Sequence, residues 1–257
     1  MGGLSKSGFL YGLDSRHTVM FAHIFDMAEK CDRCGYAVYG DFLSENSCAE
    51  LLSRARYLPM NPVLFGGFED AERKMVAFIP EYDEPLFPIG AVRLTSPMLK
   101  GLTHRDFLGS VLGLGIKREK CGDIIINDDS AYVILTDDIA SYTANSLTKV
   151  GRVGVKAEEV ALSEISVPQK TFKPITGTVS SLRLDAVVAL FHGKGRGKAS
   201  EAINAGLVFV NGICAQKSDM RLSEGDVISL RGKGKATLEI GGTSKKDRIF
   251  VTLNAWV

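Results

Sequence analysis

The stretch SLRLDAVVALFHGKGRGKASEAINAGLVFVNG, Ser181–Gly212, spells two short helices, a glycine stop and a strand entering an Asn-Gly turn. Leu184, Val187, Val188 and Phe191 recur at helical spacing, while Arg183 and Asp185 fall on the opposite face. Ser180 or Ser181 offers a hydroxyl to an orphan amide at the helix start, and the helix is expected to stop at His192–Gly193. Lys194, Arg196 and Lys198 then alternate with Gly193, Gly195 and Gly197. That pattern leaves backbone amides uncovered and sets long cationic side chains at the start of the next helix, an arrangement suited to phosphate oxygens. Gly206 reads as the left-handed residue that ends this second helix, and Leu207–Val210 runs into a type I′ turn at Asn211-Gly212. Such a surface is built to hold a polyanion.

The charge is sorted along the chain in the same sense. Residues 173–257 hold eight Lys and five Arg against four Asp and three Glu, an excess of six, although the whole chain is only +1, so residues 1–172 are acidic. Val227–Leu230, Ala236–Ile240 and Ile249–Leu253 are short apolar-rich strands, and Arg231-Gly232-Lys233-Gly234-Lys235 repeats the glycine and cation alternation in the turn between the first two. Two basic loops are therefore expected to flank one groove, with Lys217 and Arg221 adding to it. Lys245, Lys246 and Arg248 read as solubilising charge, and Trp256 as a lid on a small core.

These fragments, in this order, carry a resemblance. RLD at Arg183–Asp185, R-x-K-A-S-x-x-I-x-x-G at Arg196–Gly206, V-x-V-N-G at Val208–Gly212 and E-G-D-V-I at Glu224–Ile228 resemble the S4 RNA-binding domain. One departure is Gly195-Arg196-Gly197, where many such domains have Ser-Arg; Gly in place of an N-cap hydroxyl costs only a few tenths of a kcal/mol. The expected RNA contacts are Arg183, Lys194, Arg196, Lys198, Asn211, Lys217, Arg231, Lys233 and Lys235.

Upstream, the order strand Ile89–Thr95, helix His104–Leu112, strands Asp123–Asn127 and Ala131–Thr136, helix Asp138–Ser146 and strand Arg152–Lys156 is that of a ferredoxin-like, RRM-like βαββαβ unit. Thr103-x-x-Asp106 is an acidic capping box. The third strand, AYVILT, has Tyr132 as its one ring, so stacking of several bases on this sheet is not expected. THRDFLGS at Thr103–Ser110, LGxGIKREKxGDI ending at Ile124 and LTKVGRVGVK at Leu147–Lys156 resemble the central domain of YlmH-type S4 proteins. Arg105, Lys117 and Arg118 are its possible secondary RNA contacts, and His104 and Lys120 complete that polar face. FGGFEDAERKMVAFIPEYDEP at Phe65–Pro85 extends the same resemblance. Gly66-Gly67 is not a phosphate loop, because no Gly-Lys-Ser/Thr follows and Glu69-Asp70 would repel phosphate.

Helices are expected near Thr18–Lys30 and Glu45–Tyr57, the latter capped by Ser44, and strands at Pro62–Gly67 and Arg73–Ile79. The fold class is α+β: an N-terminal α/β domain (1–82), the central RRM-like domain (83–170) and a C-terminal S4 domain with a small β-sheet (178–257). No apolar run is long enough to span a bilayer and the start lacks an export pattern, so a cytoplasmic home is expected. A monomer is expected as well. Five cysteines, an odd number, fit a reducing compartment. Cys31-x-x-Cys34 has only His17, His23 and Cys48 near it and is read as unpaired thiols, so neither metal nor cofactor is expected.

Enzyme classes that carry S4 domains fit poorly. Pseudouridine synthases usually place a long catalytic domain after S4, here the last domain, and Ala22-His23-Ile24-Phe25 lacks the glycine a HIGH-type nucleotide segment needs. The four histidines sit in unrelated contexts. The resemblance implies a non-catalytic protein that binds structured RNA, rRNA or tRNA, on the ribosome, chiefly its large subunit; the alternative is an S4-containing RNA-modifying enzyme.

Overall fold

The computed structural model describes residues 5–244 and 247–256, so Lys245 and Lys246 lie outside the described residues. The chain divides into two compact units, residues 1–168 and 169–257.

The first unit opens with helices α1 (Lys6–Leu10) and α2 (Ser15–Cys34), strand β1 (Val38–Leu43) and helix α3 (Glu45–Arg54), which continues as a 3-10 turn over Ala55–Tyr57. Ser44 caps α3, its Oγ accepting from the Ser47 amide at 3.2 Å. Strands β2 (Val63–Phe65) and β3 (Lys74–Phe78) complete an antiparallel sheet of order β1-β3-β2. Phe9, Phe21, Phe25, Leu51 and Phe78 fill the core between helices and sheet. Neither α1 nor β1 is expected from sequence. In β1, Gly40 interrupts the apolar pattern because a Cβ there would lie 2.8 Å from Met27 Cε and 2.9 Å from Val76 Cγ1.

Strands β4 (Ile89–Thr95), β5 (Cys121–Ile126), β6 (Ser130–Thr136) and β9 (Lys156–Val160) form a second antiparallel sheet, order β5-β6-β4-β9. With helices α4 (His104–Leu112) and α5 (Asp137–Ser146), this is the split βαββαβ arrangement expected. Its last strand is shifted. Arg152–Lys156 does not supply it; a small hairpin, β7 (Lys149–Val150) and β8 (Val153–Gly154), takes that stretch, turning at Gly151 with φ +58°, and β9 follows. The helices cover one face through Val92, Leu94, Phe107, Val111, Val133 and Leu135. Gly90 lets α5 approach β4, since a Cβ there would sit 2.6 Å from Ala140 Cβ. Gly90→Ala should therefore destabilise this unit by about 2 kcal/mol through overpacking, read as a lower urea midpoint with unchanged slope.

On the other face Ile89, Ala91 and Ile134 pack against Phe42 and Met75 of the N-terminal sheet. Tyr132 on the same face is only 5% exposed. The sheet surface that RNA-recognition motifs use for stacking is thus partly filled by protein.

The second unit comprises β10 (Phe172–Val179), α6 (Leu184–His192), α7 (Arg196–Asn204), β11 (Val208–Val210), β12 (Ile213–Cys214), β13 (Val227–Leu230), β14 (Gly234–Thr243) and β15 (Ile249–Trp256). The six strands form one antiparallel sheet, order β10-β15-β14-β13-β11-β12. Strand β10, for which sequence reading offers no element, pairs with β15 along its whole length, and Pro174 is tolerated because β10 is an edge. Both helices lie on one face. Leu184, Val187, Val188, Phe191, Ala199 and Ile203 meet Val208, Val210, Ile228, Leu230, Leu238, Val251 and Leu253. Gly193 (φ +70°) and Gly206 (φ +68°) are left-handed at the two helix ends, and Asn211 (φ 50°) with Gly212 (φ 80°) makes the expected turn.

Candidate nucleic-acid interface

Helix α6 is not capped by Ser180 or Ser181. Its first amides, Leu184 and Asp185, donate instead to the carbonyls of Met220 (2.8 Å) and Ser218 (3.0 Å), and Leu222 donates back to Leu182 (2.8 Å). The loop 215–222 therefore folds over the helix entrance. This tertiary cover also moves Asp185 from the solvent face, where helical periodicity puts it, to a buried position.

Asp185 is the organiser of the site. Its carboxylate accepts from Arg183 Nε at 3.2 Å and from Arg196 Nη2 at 2.7 Å, joining the start of α6 to the start of α7. The side chain of Asp185 is 8% exposed, but those of Arg183 and Arg196 are 40% and 52% exposed. One buried anion thus holds two half-exposed guanidiniums, and the cluster keeps a positive sign. Burial pushes the Asp185 carboxyl up; the hydrogen bonds from Arg183 and Arg196 outweigh it and leave the group below its ordinary 3.8. The sign follows directly. A depressed carboxyl stabilises the fold above its unfolded value and loses that contribution as pH falls through the folded one. The acid limb of unfolding of the second unit, below about pH 4, should therefore flatten in Asp185→Asn, measured by denaturant midpoints at about pH 5 and about pH 3.

Around this clamp lie other expected contacts. Lys194 is exposed in the turn between Gly193 and Gly195, and among the described residues no side chain caps the start of α7 at Gly195. Gly195 and Gly197 have open space where a Cβ would be, which leaves the helix start accessible to a bulky anion. Lys198 pairs with Glu201 at 2.7 Å, an exposed ion pair of little worth that a phosphate can displace. Lys217 and Arg221 are exposed on the loop over the α6 entrance, and Arg183 and Arg221 form a β-bridge beside a shallow cleft that Asp219 also lines.

The nine expected residues do not share one groove. The turn carrying Arg231 and Lys233 is anchored at the far end of α7, where the Arg231 amide donates to Leu207 O at 2.9 Å. The Arg231 guanidinium lies 5.3 Å from the ring of Phe209, and Lys235 Nζ lies 5.2 Å from the ring of Trp256. Both rings point away from the helices. Asn211 is engaged internally: its Nδ2 donates to Asp226 Oδ1 (2.8 Å) and its Oδ1 accepts from the Val227 amide (2.9 Å). Arg248, read as solubilising, ties β10 to the chain before β15, donating to Thr178 Oγ1 and O at 2.9 and 2.6 Å.

In the first unit the polar face around α4 is largely a structural seam. Arg118 Nη1 donates to the carbonyls of Cys121 (2.8 Å) and Gly122 (3.2 Å), and Lys120 pairs with Asp41 at 2.6 Å. Arg73 reaches the same place, donating to Cys121 O (2.8 Å), Phe42 O (2.9 Å) and Arg118 O (3.3 Å), while Asp123 accepts from the Glu72 and Arg73 amides at 2.6 and 3.1 Å. Partial desolvation and then the Arg118 charge lower the His104 imidazole below its ordinary value, which favours its neutral form. Arg105 and Lys117 remain exposed. Cys31 is buried with its Sγ donating to Phe78 O at 3.2 Å, whereas Cys34 is exposed, so the C-x-x-C pair does not converge on one point.

Two regions of the chain match known families. Residues 91–164 match the model described as "Putative RNA-binding domain in YlmH", and residues 182–228 match the S4 domain. "Ribosome-associated protein quality control protein P2" of Bacillus subtilis (strain 168) is 36% identical over 192 residues, 73% of this chain and 75% of the relative. The solved structure "Cell division protein ylmH from Streptococcus pneumoniae" aligns with TM-score 0.51 and 22% identity, over 61% of this chain and 97% of that one, a likeness of fold. With the central and S4 models matched in order and a relative of that identity along most of its length, the chain belongs to the YlmH-type family of S4-domain RNA-binding proteins.

Proposed function

We propose that this protein is a non-catalytic RNA-binding factor that acts on the ribosome, gripping folded rRNA or tRNA, chiefly on the large subunit, in the service of translation quality control in the cytoplasm. The observation that carries the reading is the Arg183–Asp185–Arg196 clamp beside the uncapped start of α7. Two guanidinium forks held by one buried carboxylate lose little side-chain freedom on meeting phosphate oxygens, and Lys194, Lys198 and Lys217 extend the same corner. Such contacts read the shape of a backbone rather than its sequence. The name of the Bacillus subtilis relative, a ribosome-associated protein, supports the ribosome as the partner.

With four or five phosphates engaged, affinity for ribosomes should fall roughly a few hundredfold between low (about 50 mM) and moderate (about 200 mM) salt. Co-sedimentation across that range tests this, and a flat response would remove the electrostatic grip. For the rival class, nucleoside analysis of rRNA and tRNA from a deletion strain decides. Loss of a single modified nucleoside would make the protein a modifying enzyme.

A further inference from the structure

The face of the C-terminal sheet turned away from α6 and α7 carries a row of rings and cations. Register places it residue by residue: Phe172 is opposite Trp256, Lys235 is opposite Ser229, and Ser229 is opposite Phe209. Lys235 also reaches across to the neighbouring strand, its Nζ 5.2 Å from the Trp256 ring centroid, and Lys170 Nζ lies 4.6 Å from the same ring. The indole therefore sits with two ammonium groups over it, and its Nε1 donates to Thr237 Oγ1 at 3.3 Å, which fixes its edge on the sheet. Phe172 beside it is 52% exposed. At the other end of the row, Arg231 covers Phe209, which is buried and offers no stacking surface.

We infer that this row is a second RNA contact, one that takes unpaired nucleotides. Two adjoining rings on a sheet give bases a surface on which to stack once the two ammonium groups swing from the indole face to the intervening phosphates. Complementarity favours nucleic acid over a protein partner. The unit has seven positive charges in excess, and the acid on the same face of β14, Glu239, is occupied by Asn254 Nδ2 at 2.7 Å. The helix corner grips backbone shape, whereas this face accepts splayed bases, so the unit would hold a folded RNA at a junction of paired and unpaired strands. The inference rests on the RNA-binding reading above but on different residues.

Trp256 is the chain's single tryptophan, so its fluorescence reports on this face alone. Titrating the full chain with a short oligoadenylate of about ten nucleotides should quench that fluorescence saturably, and Trp256→Leu should weaken binding of a labelled oligonucleotide roughly tenfold. Lys170→Gln combined with Lys235→Gln keeps the ring in place, and should flatten the salt dependence of the quench by about 0.7 in log–log slope per lysine. Absence of quenching overturns the inference, as does equal quenching by a blunt RNA duplex or by an acidic peptide of the same charge. If the oligonucleotide is silent while ribosome binding still depends on Arg183 and Arg196, the sheet site fails and the helix corner stands.

Discussion

Arg73→Met is expected to destabilise residues 1–168 by about 3 kcal/mol, because it strips hydrogen bonds from three carbonyls at a seam where little water can replace them. Those carbonyls belong to Phe42, Cys121 and Arg118, on either side of the junction between the N-terminal and central sheets. Methionine keeps most of the stem's volume, so the loss reports the guanidinium and not a cavity. Burial, and then the Arg118 charge, lower the Arg73 pKa, which marks how far the group is desolvated. Lysine should rescue only in part, since one ammonium cannot reproduce a fork that serves three acceptors. Thermal unfolding followed separately in the two units checks this. A loss under about 1 kcal/mol would mean the seam is held by Phe42, Met75 and Ile134 alone.

The second large effect concerns binding. Replacing both Arg183 and Arg196 by Gln should weaken ribosome or RNA affinity by about 2–3 kcal/mol, roughly 30- to 150-fold, since each removes a charge-assisted contact to phosphate. The double change leaves Asp185 buried without its cations, so fold must be verified by circular dichroism before affinity is read. The salt slope should fall by about two, one for each phosphate released. Loss of affinity without a change in slope would place the arginines elsewhere than on the backbone.

Much of this architecture is legible in residue order. The helix ends at Gly193 and Gly206, the Asn211-Gly212 turn and the four-strand order of the central sheet follow from local rules that tertiary packing does not override. What escapes is set by distant chain. Asp185 sits at a polar position by periodicity and becomes buried only because residues 215–222 return over the helix entrance. Strand β10 is hidden by Pro174 and Gly177; the latter is needed because a Cβ there would lie 2.6 Å from Leu190 Cδ1. The motif around Lys117–Ile124 reads as a basic surface, yet its carbonyls and Asp123 are receptors for the Ala71–Lys74 segment. Two distant motifs of the family resemblance are therefore halves of one contact. The basic turn at Arg231–Lys235 repeats the pattern of Lys194–Lys198, but strand register, invisible in composition, sends Arg231 and Lys235 to rings on the other face of the sheet.

The central claim is that a buried carboxylate aims two guanidiniums at RNA, and Asp185→Asn tests it most directly. The substitution makes the surface more positive, so charge alone would raise affinity. In co-sedimentation of the full chain with ribosomes at fixed salt, weaker binding is predicted, because Arg183 and Arg196 lose the anion that orders them. Tighter or unchanged binding by a folded Asp185→Asn protein would contradict the clamp.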